Sequence, residues 1–110
     1  DRDRAARESP YGGTIIHGFF LVSLVTYFVR TGGVNPIDGS YSLNYGMDRV
    51  RILKPVAIGD GIRVRDRITL MDVKDKGDGK QLLKTAHGIE VDGLSEIAAY
   101  VEYLNLWLPK

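Results

Sequence analysis

Few residues in this chain could do chemistry. The two histidines, His17 and His87, lie seventy positions apart and do not have the spacing of a metal site. The chain contains no cysteine, which excludes a disulfide framework, a thiolate zinc site and a cysteine nucleophile. Gly12-Gly13 is too short for a phosphate-binding loop, and no dinucleotide-binding glycine pattern occurs. The residues therefore indicate neither a metal site nor a cofactor.

Gly18 is more informative, because it lies in an apolar segment whose pattern predicts a helix. A glycine inside a helix costs about 1 kcal/mol relative to alanine, so its presence needs a reason. One reading is close packing of the helix against a sheet. The other is that its backbone N–H, near a helix start where such groups lack intrahelical partners, faces a ligand carbonyl. The residues leave both readings open, and the neighbouring His17 is equally compatible with a structural hydrogen bond.

Thr26 and a set of cations are the remaining candidates. Thr26 follows Gly18 by about two helical turns, so the two could border one cleft, although such a threonine usually bonds back to its own helix. Six cations, here called the basic stripe, alternate along two predicted strands. They form either a solvated sheet face or a landing place for a phosphorylated ligand such as coenzyme A. The basic stripe comprises Arg49, Arg51, Lys54, Arg63, Arg65 and Arg67.

The elements that must position these residues begin with two helices. Residues 1–8 carry three acids and three arginines and predict a short polar helix or turn that ends at Ser9-Pro10. The largely apolar segment from about Thr14 to Arg30 predicts a long central helix that is buried nearly all round. Gly32-Gly33 should end this helix in left-handed backbone.

Period-two patterns predict four long strands after the helices. The first ends at Pro55, and a change of parity between Met47 and Val50 predicts a bulge near Asp48-Arg49. The second contains the alternation from Ile62 to Leu70. Gly77-Asp78-Gly79 closes a hairpin into the third, and the fourth follows a turn at Asp92-Gly93. The third and fourth strands span 81–91 and 97–107. The fold class is therefore α+β, with a curved antiparallel sheet that wraps a long central helix.

Length and charge restrict the function classes. One domain over residues 1–110 is expected, since a second core would need roughly 50 residues of its own. The net charge of +1 disfavours nucleic acid as a partner. The apolar run from Thr14 to Val29, about sixteen residues, is short of the ~20 residues that a membrane span needs. The lack of cysteine fits a reducing compartment, so a cytoplasmic location is expected.

Several motifs resemble one known family. The segment Asp1-Arg2-Asp3-Arg4-Ala5-Ala6 followed by Ser9-Pro10-Tyr11-Gly12-Gly13-Thr14-Ile15-Ile16-His17-Gly18 is similar to the second half of the hydratase signature of MaoC-like dehydratases, which have the hot dog fold. Leu43-Asn44-Tyr45-Gly46, Val50-Arg51-Ile52, Pro55-Val56 and Gly59-Asp60 resemble the strand and turn that follow in the subgroup related to nodulation protein N. The resemblance covers nearly the whole chain.

This resemblance implies an activity, a substrate and an assembly. Members hydrate 2-enoyl thioesters of coenzyme A, or dehydrate 3-hydroxyacyl thioesters, in fatty acid metabolism. They act as homodimers with clefts at the subunit interface. The backbone N–H of Gly18 would be the oxyanion donor. The expected substrate contacts are Tyr11, Gly12, Gly13, His17, Thr26, Asn44, Tyr45, Gly46 and Arg51.

The resemblance also places the catalytic aspartate and histidine just before the position of Asp1. We therefore expect a preceding segment that carries this acid–base pair and the first strand of the fold. The alternative is a non-catalytic hot dog subunit or acyl-thioester-binding scaffold that pairs with an active partner. A general thioesterase fits less well, because His17-Gly18 matches the hydratase pattern.

Overall fold

The computed structural model describes residues 1–10, 15, 18–32, 41–57, 59 and 61–109. Its helices are α1 (Arg2–Glu8) and α2 (Gly18–Thr31), and its strands are β1 (Tyr41–Ile52), β2 (Val64–Gly77), β3 (Lys80–Val91) and β4 (Ala99–Leu108). The strands form one antiparallel sheet in the order β1-β4-β3-β2. Helix α2 packs on one face of this sheet, which confirms the α+β layout. Within the described ranges, no helix is long and apolar enough to cross a membrane.

Helix α1 confirms the short polar helix expected at the start of the chain. The Asp1 side chain caps it, because one carboxylate oxygen accepts hydrogen bonds from the backbone N–H groups of Asp3 (2.9 Å) and Arg4 (3.2 Å). An ion pair between Arg4 and Glu8, one turn apart, adds to the helix on its exposed side. The Asp1 carboxylate therefore stabilises the start of helix α1.

Helix α2 differs from the expectation at both ends. It begins at Gly18 and not near Thr14, because Ile15 forms an isolated antiparallel bridge with Ala57 instead of a helical turn. At the other end the Gly32 N–H donates to the Phe28 carbonyl at 2.7 Å, so the helical ladder continues to the glycine without positive φ. Gly33, the other residue of the expected stop, lies outside the described residues.

The expectation that α2 is buried nearly all round is wrong for the single chain. One face packs into the core through Leu21, Val22, Val25 and Val29. Three large side chains on the rest of its surface are more than half exposed: Phe19, Phe20 and Tyr27. The reason is geometric, because one sheet can cover only one side of a helix.

Strand β1 contains two bulges. The register with β4 shifts between Met47 and Arg49, which confirms the bulge expected near Asp48. A second shift, between Asn44 and Gly46, leaves Tyr45 as an extra residue. The strand ends at Ile52 and not at Pro55, because the next two backbone N–H groups both turn to the Ala98 carbonyl.

The hairpin between β2 and β3 is a two-residue turn. Gly77 pairs with Lys80, and the two central residues, Asp78 and Gly79, have φ values of 57° and 79°. Positive φ at both central positions defines a type I′ turn, whose twist matches that of the flanking strands. The predicted hairpin is confirmed, and its strands extend from Val64 to Val91.

The sheet order separates the two halves of the basic stripe. The sequence places the cations of β1 and β2 on consecutive strands, but these strands form opposite edges of the sheet, with β4 and β3 between them. The expected continuous stripe is therefore wrong. Only long-range pairing determines which strands are neighbours, and residue alternation carries no information about it.

A buried polar cluster joins β2 and β3 on the helix-facing side. The His87 imidazole is fully buried, and its Nδ1 lies 2.6 Å from a carboxyl oxygen of Asp66. Its Nε2 lies 2.6 Å from the Thr85 hydroxyl, and the edge of its ring faces Tyr103. The second carboxyl oxygen of Asp66 is buried without a hydrogen-bond partner. His87 thus supplies the hydrogen bond on which the buried Asp66 depends.

We expect His87→Ala to destabilise the fold by about 3 to 5 kcal/mol, because it leaves the buried Asp66 carboxyl without its partner. Thr85→Val removes one hydrogen bond to the imidazole and leaves the contact with Asp66 intact, so it should cost only about 1 to 2 kcal/mol. Urea unfolding at neutral pH measures both free energies.

The double variant Asp66→Leu with His87→Leu is the control, since it removes both polar partners together. It should be clearly more stable than His87→Ala. Equal losses for His87→Ala and Thr85→Val would show that Asp66 does not depend on His87.

Candidate functional site

Gly18 lies at the start of α2, where the helix comes closest to strand β1. As the first helical residue, its N–H has no acceptor within the helix. A β-carbon placed on Gly18 would lie 2.7 Å from Cδ1 and 3.2 Å from Cγ2 of Ile52. Close packing is therefore a sufficient reason for the glycine. It does not conflict with an outward-facing N–H, so both readings of Gly18 stay open.

A cavity of about 260 Å³ borders this contact. It lies between the start of α2 and the chain that follows β1, which the bridge from Ile15 to Ala57 ties together. Its lining side chains are apolar except that of Lys54, whose ammonium pairs with Glu96 at 3.4 Å. The lining residues are Ile15, Gly18, Leu21, Ile52, Leu53, Lys54, Pro55 and Val56. We call this space the Gly18 cavity.

Thr26 lines a different cavity, of about 280 Å³, farther along α2. Its hydroxyl donates to the Ser23 carbonyl at 2.9 Å, so the threonine does bond back to its own helix. Asn44 lines the same cavity, and its side-chain oxygen accepts a hydrogen bond from the Tyr103 hydroxyl. Burial raises the pKa of that Tyr103 hydroxyl. The structure thus brings Thr26 and Asn44 together, while Gly18 borders the other cavity.

The remaining expected contacts are dispersed or outside the described residues. Tyr45 is the exposed bulge residue of β1, and Gly46 beside it has open space where a β-carbon would lie. The exposed Arg51 guanidinium donates to the neighbouring Val50 carbonyl. Four further calls lie outside the described residues: Tyr11, Gly12, Gly13 and His17.

Neither cavity has a carboxylate or an imidazole among its described lining residues. Asp1 caps α1, and the pair of Asp66 and His87 is sealed in the core, where no substrate can reach it. Throughout the described ranges, no three acidic, histidine or cysteine side chains are grouped to hold a metal ion. The described residues can therefore offer a backbone donor and two shaped cavities, without an acid–base pair.

The charged face of the sheet opposite α2 is a network of ion pairs. Arg65 pairs with Asp92 at 2.8 Å, and this hydrogen bond raises its pKa. On the central strands, the hydrogen bond from Tyr100 lowers the pKa of Glu102, and Lys84 adds to this effect. The Asp48 carboxylate lies 2.9 Å from the Lys84 ammonium, and this hydrogen bond raises the pKa of Lys84. Carboxylates thus neutralise much of this face, which favours the solvated-face reading of β2.

The sequence does not single out three residues that line these cavities. Ile52 and Tyr103 read as ordinary strand positions, and nothing in their spacing indicates that each borders a cavity. Lys54 was one of six cations, and only the structure distinguishes it as the one that lines the Gly18 cavity. A period-two pattern shows which residues share a face, but it cannot show where that face leaves a gap.

The chain is similar to several known proteins. It is 40% identical over 90 residues to "Nodulation protein N" of Rhizobium leguminosarum bv. viciae, and this match covers 82% of the chain and 53% of that protein. It is 33% identical over 103 residues to "3-hydroxyacyl-thioester dehydratase Z" of Mycobacterium tuberculosis strain H37Rv, covering 93% of the chain and 65% of that protein. The chain thus spans about half to two thirds of these relatives.

A solved structure and a family model agree with these relatives. The X-ray structure of a monoamine oxidase regulatory protein from Archaeoglobus fulgius superposes with a TM-score of 0.75 at 18% identity, over 96% of this chain and 67% of that one. This similarity supports the hot dog fold. The family model described as "MaoC like domain" matches residues 1–92. The chain therefore belongs to the MaoC-like domain family.

Proposed function

We propose that this chain is part of a hydratase that adds water reversibly to a 2-enoyl thioester of coenzyme A. The observation that carries the proposal is the position of Gly18. It is the first residue of α2, beside an apolar cavity, in a chain of the MaoC-like family. One relative, from Mycobacterium tuberculosis, is named a 3-hydroxyacyl-thioester dehydratase. Dehydration of a 3-hydroxyacyl thioester is the reverse of the proposed hydration.

The proposed chemistry needs one fixed donor and one acid–base pair. A base takes a proton from water as the water oxygen bonds to C3, and the electron pair of the double bond moves towards the thioester oxygen. C2 then accepts a proton from the acid, which restores the thioester. The Gly18 N–H at the positive end of the helix dipole would stabilise the enolate oxygen more than the ground-state carbonyl. The acid and base belong, in this proposal, to a segment before Asp1.

The substitutions Gly18→Pro and Gly18→Ala separate the role of the Gly18 N–H from the role of the glycine in packing. Both place a β-carbon against Ile52, but only proline removes the N–H, and proline is well tolerated at the first position of a helix. In the protein that includes the preceding segment, Gly18→Pro should lower turnover of crotonyl-CoA by about 10²-fold or more relative to Gly18→Ala. Initial rates measure the turnover, and thermal melting shows whether both variants fold.

Two outcomes would contradict this assignment. Equal turnover in two folded variants would make Gly18 a packing residue only. A parent protein that binds an acyl-CoA but hydrates none of a panel of enoyl-CoAs would support the second candidate, a non-catalytic thioester-binding subunit. The observation in favour of that candidate is that the described linings of these two cavities include no carboxylate or imidazole.

We also propose a homodimer. The three exposed aromatic side chains on α2, Phe19, Phe20 and Tyr27, form an apolar surface that water does not favour. Strand β2 adds a long edge that pairs only with β3 among the described strands. A second copy would cover both features.

Sedimentation of the protein at micromolar concentration should therefore give twice the mass of one chain. Phe20→Ser should shift the protein towards monomer, because it removes an exposed aromatic ring from the proposed interface. Arg7→Ser, at an exposed position of helix α1, is the control and should leave the dimer intact. A parent protein that sediments as a monomer would refute the dimer.

A further inference from the structure

The Ile52 side chain lies against Gly18, and both residues line the Gly18 cavity. Its Cδ1, Cγ2 and Cγ1 atoms would lie 2.7, 3.2 and 3.5 Å from a β-carbon on Gly18, so the isoleucine covers the face that the glycine leaves bare. The same side chain is among those that line the cavity. Any group held beside the Gly18 N–H therefore has Ile52 as a near neighbour.

The backbone of Ile52 is fixed while its side chain remains accessible. Ile52 is the last residue of β1 and pairs with Ala99, a fully buried residue of the central strand β4. The Leu53 and Lys54 N–H groups then bind the Ala98 carbonyl at 2.8 and 3.1 Å, which holds the chain just after the strand. Yet the Ile52 side chain is 46% exposed, because its outer side faces open space. The backbone at Ile52 is thus held in place, while its side chain stays accessible to a ligand.

Isoleucine suits this position for a conformational reason. Its branch at Cβ restricts χ1, so the side chain does not swing aside easily when a bulkier group approaches. A leucine of the same volume branches one atom later and can yield by rotating χ1. The type of residue at position 52, and not only its size, therefore determines how much space exists beside Gly18.

We propose that Ile52 is a specificity-determining residue that limits the length of the acyl chain accepted next to the thioester. This inference rests on the proposed function, because it requires the thioester carbonyl to lie at the Gly18 N–H. The acyl group fits the cavity better than the carrier does, because the lining side chains are apolar except that of Lys54, whose ammonium is paired with Glu96. Shortening Ile52 lengthens the space that an acyl chain can fill.

The experiment compares chain-length profiles. The values of kcat/KM for crotonyl-, hexenoyl-, octenoyl- and decenoyl-CoA are measured for the parent, Ile52→Val, Ile52→Leu and Ile52→Ala in the protein that includes the preceding segment. Ile52→Ala should raise the decenoyl-to-crotonyl ratio about 10-fold or more, which is typical of removing several carbon atoms from an acyl pocket. Ile52→Val and Ile52→Leu should give smaller increases. The gain should appear mainly as a lower KM for the long substrates.

Ile62→Ala is the matched control. It removes the same atoms from an isoleucine that is 42% exposed and does not line the Gly18 cavity. Its chain-length profile should equal that of the parent, whatever its effect on stability. Any general loosening of the fold would change both alanine variants alike.

The outcomes distinguish this inference from the proposed function. If the parent hydrates no enoyl-CoA, the proposed function itself is wrong. If the parent is active and folded Ile52→Ala keeps the parental ratio, Ile52 does not limit the acyl chain, and the hydratase assignment stands. A ratio that changes equally in Ile52→Ala and Ile62→Ala would also overturn the inference.

Discussion

The close approach of helix α2 to the end of strand β1 is the constraint on which the rest of the candidate site depends. Residue 18 has no side chain, and a β-carbon there would lie 2.7 Å from Ile52 Cδ1, so the Ile52 side chain would have to shift. The contact places the start of the helix beside the end of β1. It therefore also places the free N–H groups of the first turn beside that strand. Packing and electrostatics are two consequences of one glycine.

The two faces of the sheet meet different physical requirements. On the helix side, alternate residues of the central strands β3 and β4 are buried, so the polar groups there must satisfy one another, as Asp66, His87 and Thr85 largely do. On the opposite side, Lys84 lies between the exposed Asp48 and the buried Glu102. Exposed pairs on this side, such as Arg65 with Asp92, contribute little energy individually, but they restrict what that face can bind.

The elements were largely predictable from the sequence, whereas their arrangement was not. Alternation identified the strands, and Gly77-Asp78-Gly79 identified the hairpin, because both signals are local. The bulge at Asp48 was visible as a change of parity. The bulge at Tyr45 was not visible, because two bulges within a few residues restore the original alternation of the side chains. The Thr14 start of α2 was also misplaced, because apolar residues continue into the bridge formed by Ile15.

From the sequence, the site was predictable only where a single residue is unusual for its position. Gly18 was identified because a glycine near a helix start is unusual, whereas the pairing of Asp66 with His87 joins residues on two strands. Ile52 escaped for a similar reason, since its importance comes from the helix that passes over it. Such contacts cannot be predicted from local patterns, because the sequence around one residue contains no information about a partner far away in the chain.

The strand order has a consequence for how the chain reaches this structure. Strands β2, β3 and β4 are consecutive and pair with their sequence neighbours through short turns, so their loop-closure entropy is small. Strand β1 instead pairs with β4, across the intervening hairpin, and this is the pairing of highest contact order in the sheet. The Ile52 side chain beside Gly18 belongs to that strand. The cavity therefore requires the β1–β4 pairing, and a meander of β2, β3 and β4 alone would have no site.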